Sequence, residues 1–340
     1  MPGVVSIDTE TRFAPLLERR GIGLAVSGGP DSLALMLLIA DWKQRHPDVP
    51  PVFVYSVDHG LRPEAAEEVR SVVVEAEKLG LPGRALRWDG AKPTTGIQAA
   101  ARTARYRLMA AAMATDGVDI LLTAHHLGDQ AETVLMRLAH GSGVEGLRGM
   151  DRLGYAEGCE LYRPLLDIDP LALRAIVDAA GLVPADDPSN RDTDYERVRW
   201  RRILPQLAEL GLDARRLSSF ARRMDELDSM LQVEADTAHM RLVHRPAEGR
   251  AELPHAAFST LHRPVAVRLL GQVLRGVGGD RKPHALGALE TLCDRLSPPA
   301  ALKRTSLHGC LVSSDGETIV VVSEAGRIAG RSRAARASLI

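Results

Sequence analysis

Aromatic side chains make up only 4% of the 340 residues, so a nucleic-acid surface built mainly from stacked rings is not expected. Charge and shape would have to serve instead. Cysteine is rarer still. Cys159, Cys293 and Cys310 stand far apart with no CxxC among them, which leaves no disulfide framework, zinc site or redox pair and fits a reducing compartment. No apolar run approaches the ~18 residues that a membrane helix needs. The first twenty residues, MPGVVSIDTETRFAPLLERR, lack the basic start and apolar core of a secretion signal. A soluble cytoplasmic protein without a membrane partner is expected.

Net charge is also small, −1 over the whole chain, but it is unevenly spread. Arg191 to Arg223 holds nine arginines against five acids, and Arg327 to Ile340 holds four arginines and no acid. Such blocks are either a solvated face or a binding surface for phosphates.

The chain is too long for one typical core, so two or three domains are expected. Up to about residue 190, short apolar runs alternate with helical patterns. IGLAV (22–26), VFVYSV (52–57), RALRW (84–88) and DILLTA (119–124) read as strands; 31–46, 63–80, 97–115 and 127–140 read as helices. This alternation predicts an α/β fold, a parallel sheet with helices on both faces. Beyond about residue 205 the pattern turns helical. LSSFARRMDELDSML carries an amphipathic stripe, 263–276 and 284–296 read as further helices, and 307–323 reads as a hairpin turning at Asp315-Gly316. The expected organisation is a catalytic domain over 1–207 and a smaller, mainly helical domain with a C-terminal β-hairpin over 208–326. A basic, disordered tail is expected over 327–340.

Three of the expected strand ends carry polar clusters, SGGPDS, DHGLR and AHHLGDQAET, and ligands bind at such ends in parallel sheets. In the first, Gly28 and Gly29 let backbone amides approach a ligand, and the helix that follows aims its N-terminal N–H groups the same way. Ser27 and Ser32 add hydroxyls. Such a nest suits phosphates, yet the stretch has neither the lysine of a GxxxxGK loop nor the GxGxxG spacing of a dinucleotide site. An acid inside a phosphate nest, Asp31, fits Mg²⁺ held between a carboxylate and substrate phosphates. The plainer alternative is a helix-capping turn.

SGGPDS resembles the PP-loop of the N-type ATP pyrophosphatases, which cleave ATP between the α- and β-phosphates. The further stretches VDHGLR (57–62), AAARTARY (99–106), TAHHLGDQAET (123–133), GSGVEGLRGM (141–150), RPLL (163–166) and DDPSNRDTDYERVRWRRILPQL (186–207) follow in the order and spacing of the tRNA(Ile)-lysidine synthase family. The close resemblance spans about 21–207. It implies an adenine nucleotide α-hydrolase-like fold and an AMP-forming ligase. Family members adenylate the wobble cytidine of an isoleucine tRNA with a CAU anticodon, and free lysine then displaces AMP.

By that resemblance, Ser27, Gly28, Gly29, Pro30, Asp31 and Ser32 bind ATP, with Asp31 also contacting Mg²⁺. Arg102 is expected to clamp phosphate, the alternative being an exposed helix residue. Asp129 and Glu132 are expected to receive lysine, the alternative being acids that offset a helix dipole. Arg199, Arg201 and Arg202 are expected to contact tRNA. His125 and His126 match the family pair, their roles divided between nucleotide contact and structure. The oligomeric state is left open, a homodimer included. Two positions depart from the pattern: Gly128 stands where an acid is common, and Gln98 where glutamate is common. A rival PP-loop activity, tRNA 2-thiolation, would place sulfur on a cysteine pair, and no cysteine lies near a site motif.

Overall fold

The computed structural model describes residues 7–90, 92–185, 192, 194–279 and 286–324. The tail expected to be disordered, 327–340, lies outside the described residues, as does part of the 186–193 stretch. The chain divides into two compact units, one comprising 1–141 and 148–221, the other 142–147 and 222–340. The boundary expected at 207/208 lies fourteen residues before the division at 221/222, which falls inside a helix.

The first unit opens with α1 (Thr9–Phe13), β1 (Ile22–Ala25), α2 (Pro30–Arg45), β2 (Val52–Asp58), α3 (Ala65–Lys78) and β3 (Gly83–Arg87). It continues with α4 (Ile97–Asp116), β4 (Ile120–Leu122) and α5 (Leu127–Ala139). The short α6 (Val144–Leu147) belongs to the second unit. Then come β5 (Leu153–Ala156), β6 (Cys159–Tyr162), α7 (Pro170–Ala179) and α8 (Glu196–Glu209). Strand order is β3-β2-β1-β4-β6-β5. All pairings are parallel except β5 with β6. The antiparallel edge strand β5 escaped the sequence reading because LGYA is short and half-exposed, without an apolar run.

Side-chain alternation divides the core between the two faces. Ile22, Leu24, Val54 and Leu122 meet Trp42 of α2 and Leu173 of α7, whereas Tyr55, Leu121 and Leu161 meet Tyr106, Met109 and Met113 of α4. Ile22 is paired with Val52 on one side and with Ile120 on the other. The chain therefore winds outward through β2 and β3 and returns to β4 across β1. The carboxyl ends of β1 and β4 form the switch point where such sheets bind ligands.

The second unit takes in most of α9 (Ala214–Leu242), then β7 (His244–Ala247), β8 (Arg250–Pro254), α10 (His255–Ser259), α11 (Arg263–Gly278) and α12 (Leu286–Leu296). It ends in β9 (Ala301–Leu307), β10 (Cys310–Asp315) and β11 (Thr318–Ser323). The hairpin expected at Asp315-Gly316 is β10–β11: Asp315 Oδ1 accepts from the amides of Glu317 and Thr318 at 2.9 and 2.7 Å. It is part of a larger element, an antiparallel sheet ordered β7-β8-β11-β10-β9. The strand HRPA of β7 is fully exposed and shows no alternation, which hid it in the sequence. Among the described residues no helix is long and apolar enough to cross a membrane.

Candidate active site

The turn between β1 and α2 is built for an anion. Gly28 has φ +85°, a left-handed backbone that a side chain would strain. Gly29 is the N-cap of α2 and Pro30 its first residue, where a missing N–H costs nothing. No side chain caps this helix, so its first amides are open to a ligand. Ser32 Oγ donates to the Gly29 carbonyl at 2.9 Å and accepts the Ser27 amide at 3.2 Å, which folds the turn back on itself. Ser27, Gly29, Asp31 and Ser32 all line a cavity of about 370 Å³, the size of a small-molecule site. Its walls are partly apolar, with Tyr55, Val57, Val69 and Met109 among them.

Cations reach the cavity from α4. Arg105 lines it, whereas Arg102 is exposed and packs its guanidinium 5.1 Å from the centre of the Tyr106 ring. Arg105 Nε is buried with no hydrogen-bond partner among the described residues, and burial pushes its guanidinium below the ordinary arginine value. A buried cation without a counter-charge is costly, and an incoming anion relieves that cost. The sequence reading chose Arg102 and missed Arg105. The signal was present: half-buried Arg105 lies four residues from both Ala101 and Met109, which are buried on α4. Gln98 is exposed and does not line the cavity.

On the far side of the switch point stands the start of α5. His126 is its N-cap: Nδ1 accepts the amides of Gly128 at 3.0 Å and Asp129 at 3.4 Å, while Asp129 Oδ2 accepts the His126 amide at 3.1 Å. His126 Nε2 lies 3.5 Å from Oδ2 of Asp31 and 3.5 Å from Oδ2 of Asp129. Burial alone would lower its pKa, but the Asp31 contact and the charge of Asp129 raise it. Burial alone would raise the Asp129 carboxyl, yet the charges of His126 and Arg197 hold it below the ordinary value. His125 lines the cavity and meets Thr123 Oγ1 through Nδ1 at 2.8 Å. Burial pushes its pKa down to about 4, so it is neutral at physiological pH.

Glu132, one turn further, is buried and fully engaged. Its Oε2 accepts from Arg197 Nε at 2.8 Å and its Oε1 from Arg201 Nε at 2.7 Å. Both arginines come from α8, which packs on α5 through Trp200, Leu204, Ala131 and Leu135. They also lie 3.5 and 3.6 Å from Asp129 Oδ1. Arg201, expected on tRNA, is thus committed to Glu132, whereas Arg199 and Arg202 are exposed on the same helix. Arg197 was missed, although its spacing of four from Arg201 puts both on one helix face.

Among the described residues no group of three or more His, Cys, Asp or Glu could cage a metal. Asp31 offers a single carboxylate beside amides suited to phosphate, a donor set that fits Mg²⁺ shared with a nucleotide. Cys159, Cys293 and Cys310 are all buried, and none lines the cavity.

Residues 5–207 match a family described as a PP-loop domain. The tRNA(Ile)-lysidine synthase of Rhodopseudomonas palustris is 45% identical over 326 residues, covering 92% of this chain and 94% of the relative. That of Bradyrhizobium diazoefficiens is 43% identical over 339 residues, covering 93% of each. A more distant synthase, from Wolbachia pipientis wMel, is 31% identical and covers 90% of this chain and 71% of its own. Among solved structures, the U34-tRNA thiolase NcsA from Methanococcus maripaludis, with its iron–sulfur cluster, superposes with a TM-score of 0.53. At 17% identity, over 65% of this chain and 78% of that one, the likeness is one of fold alone.

Proposed function

The chain belongs to the tRNA(Ile)-lysidine synthase family, and we propose that it joins free L-lysine to the wobble cytidine of an isoleucine tRNA with a CAU anticodon. ATP is consumed, and AMP and pyrophosphate are released. The observation that carries this reading is the convergence of the PP-loop turn and the acids of α5 through His126, 3.5 Å from both Asp31 and Asp129.

In the first half-reaction the cytidine carbonyl oxygen attacks the α-phosphorus and pyrophosphate leaves. The amides of Gly28, Gly29, Asp31 and Ser32 and the guanidinium of Arg105 hold the phosphates and offset the charge that develops there. We assign the clamp to Arg105, three residues along from Arg102. Asp31 would hold Mg²⁺, which supplies further charge neutralisation when bound. His125, neutral and in the wall, offers an uncharged hydrogen-bonding edge to the nucleotide. Attaching AMP turns the cytosine oxygen into a leaving group.

In the second half-reaction the ε-amine of lysine attacks the ring carbon, and AMP departs with that oxygen. The amine arrives as an ammonium and must lose a proton before attack. Asp129 receives the ammonium and is placed to accept that proton. Glu132 completes the pocket by fixing Arg197 and Arg201, whose half-exposed guanidiniums suit the carboxylate of a free amino acid. Arg199, Arg202 and the second unit supply contacts to tRNA phosphates. The reaction is placed in the cytoplasm, where free lysine and tRNA meet. A thiolation reading is disfavoured because burial pushes the Cys159 thiol up to about 11 and its Sγ faces the Tyr106 carbonyl at 3.5 Å.

The test is mass analysis of an isoleucine-tRNA transcript incubated with enzyme, ATP, Mg²⁺ and lysine. A gain of one lysine less one water at the wobble cytidine is expected. AMP release that ignores lysine would sink the reading.

A further inference from the structure

Past the cavity, the carboxyl edge of the sheet continues to the ends of β2 and β3, where Asp58 and Arg87 are strand partners. The turns that follow these two strands are knit together. The Gly60 amide donates to Asp58 Oδ1 at 2.7 Å, the Trp88 amide to the Asp58 carbonyl at 2.9 Å, and Lys92 Nζ to the Trp88 carbonyl. One turn brings His59 into the cavity wall; the other stands Trp88 beside it, edge to face, with 6.5 Å between ring centres. Trp88 is half-buried, whereas Trp42 is sunk in the core and Trp200 packs on α5. Lys92 Nζ lies 4.0 Å from the centre of the Trp88 ring and has no ion-pair partner among the described residues. The acids nearby, Asp58 and Asp89, face Arg87 instead, at 4.0 and 3.2 Å.

We propose that Trp88 and Lys92 form a ledge for single-stranded RNA, the ring stacking on the base of a nucleotide next to the wobble cytidine and the ammonium meeting its phosphate. A cytidine that enters the cavity leaves its own stack, and its neighbour is left with a bare face. The indole replaces the lost partner. An ammonium resting on a ring is held weakly and passes readily to a phosphate. Charge favours RNA over the base of ATP itself. Adenine is neutral and the phosphates of ATP are placed at the PP-loop turn, so an unpaired ammonium here has nothing to meet in ATP. A stacking face beside a cation is what an unpaired nucleotide needs, one for the base and one for the phosphate. This inference rests on the lysidine-forming reading, which supplies the RNA.

The experiment measures binding of an isoleucine-tRNA transcript to the full chain by filter titration against salt, with Trp88→Leu, Trp88→Phe and Lys92→Gln. Trp88→Leu should weaken binding about tenfold, within the range for one lost base–aromatic stack, and Trp88→Phe should recover most of it. Lys92→Gln should lower the salt slope by roughly 0.7, one single-strand phosphate contact. ATP affinity without tRNA should stay at the wild-type value in all three, which also reports that the site is folded. An abasic site on one side of the wobble cytidine should weaken the wild type about tenfold. It should cost Trp88→Leu nothing more, because the partner of that base is already gone. Unchanged tRNA affinity and salt slope in Trp88→Leu and Lys92→Gln would overturn the proposal. Weakened ATP affinity with tRNA binding intact would make the ring a shelf for adenine and overturn it as well. An abasic loss that multiplies with Trp88→Leu on both sides of the cytidine would remove the stacking. The wild type keeps the two readings apart: a wild type that adds no lysine sinks the lysidine reading, whereas an active wild type with an unaffected Trp88→Leu sinks this inference alone.

Discussion

At the scale of single residues, the two acids joined by His126 have separable duties. Asp31→Asn should slow AMP formation at least ~10²-fold, the scale of losing one transition-state stabiliser, with folding little changed because the side chain is a third exposed. Rapid-quench measurement of adenylated tRNA checks this; near-wild-type formation would remove Asp31 from the nucleotide site. Asp129→Asn should leave that step nearly intact and raise the lysine KM roughly 10- to 150-fold, the range for a lost charged hydrogen bond. His125 makes a prediction of a different kind. Its folded pKa of about 4 lies below the unfolded value near 6.5. Between those values the unfolded chain binds a proton that the folded chain refuses, so stability is lost as pH falls through this window. His125→Gln should flatten the pH dependence of the urea midpoint between pH 6.5 and 4. The carboxyl of Asp129, already held low, contributes its loss below that range.

At the scale of elements, α8 carries two sets of arginines on two faces. Arg197 and Arg201 lie on Glu132, while Arg199 and Arg202 are exposed. If the exposed pair meets tRNA phosphates, Arg199→Ala with Arg202→Ala should weaken tRNA binding. It should also flatten its salt dependence by roughly 0.7 to 0.9 slope units per contact removed. Lysine KM should not change. Arg201→Ala should do the reverse, sparing the salt slope and raising the lysine KM, because it strips a donor from the buried Glu132. A filter-binding titration against salt, paired with lysine kinetics, separates the two faces. Equal effects from both sets would return α8 to a generic basic surface. The helical repeat along α8 was legible in the sequence, but which arginines face inward depended on where α5 packs.

At the scale of the whole molecule, each compact unit buries an apolar cluster of its own. The second is pinned by His255, fully buried, with Nε2 on the Leu296 carbonyl and Nδ1 on Ser314 Oγ, both at 2.6 Å. His255→Ala leaves those partners unsatisfied, so it should cost about 1–3 kcal/mol in the unfolding step of that unit. ATP binding, which lies in the other, should be unaltered, and calorimetry with and without nucleotide reads the difference. A shift of the nucleotide-sensitive transition would contradict this. By itself the sequence determined the alternating sheet, the glycine turn, the helix that begins at residue 127 and the family. Each is written in residues close together along the chain, as turn chemistry, periodicity or motif order. Only the tertiary structure decided that Arg105 rather than Arg102 lines the cavity, and that Glu132 is held by arginines 65 and 69 residues away. It also decided that Asp31 and Asp129, from separate motifs, meet at His126. These facts depend on how far each helix is rotated against its neighbour, and a one-dimensional pattern leaves that rotation free until packing fixes it.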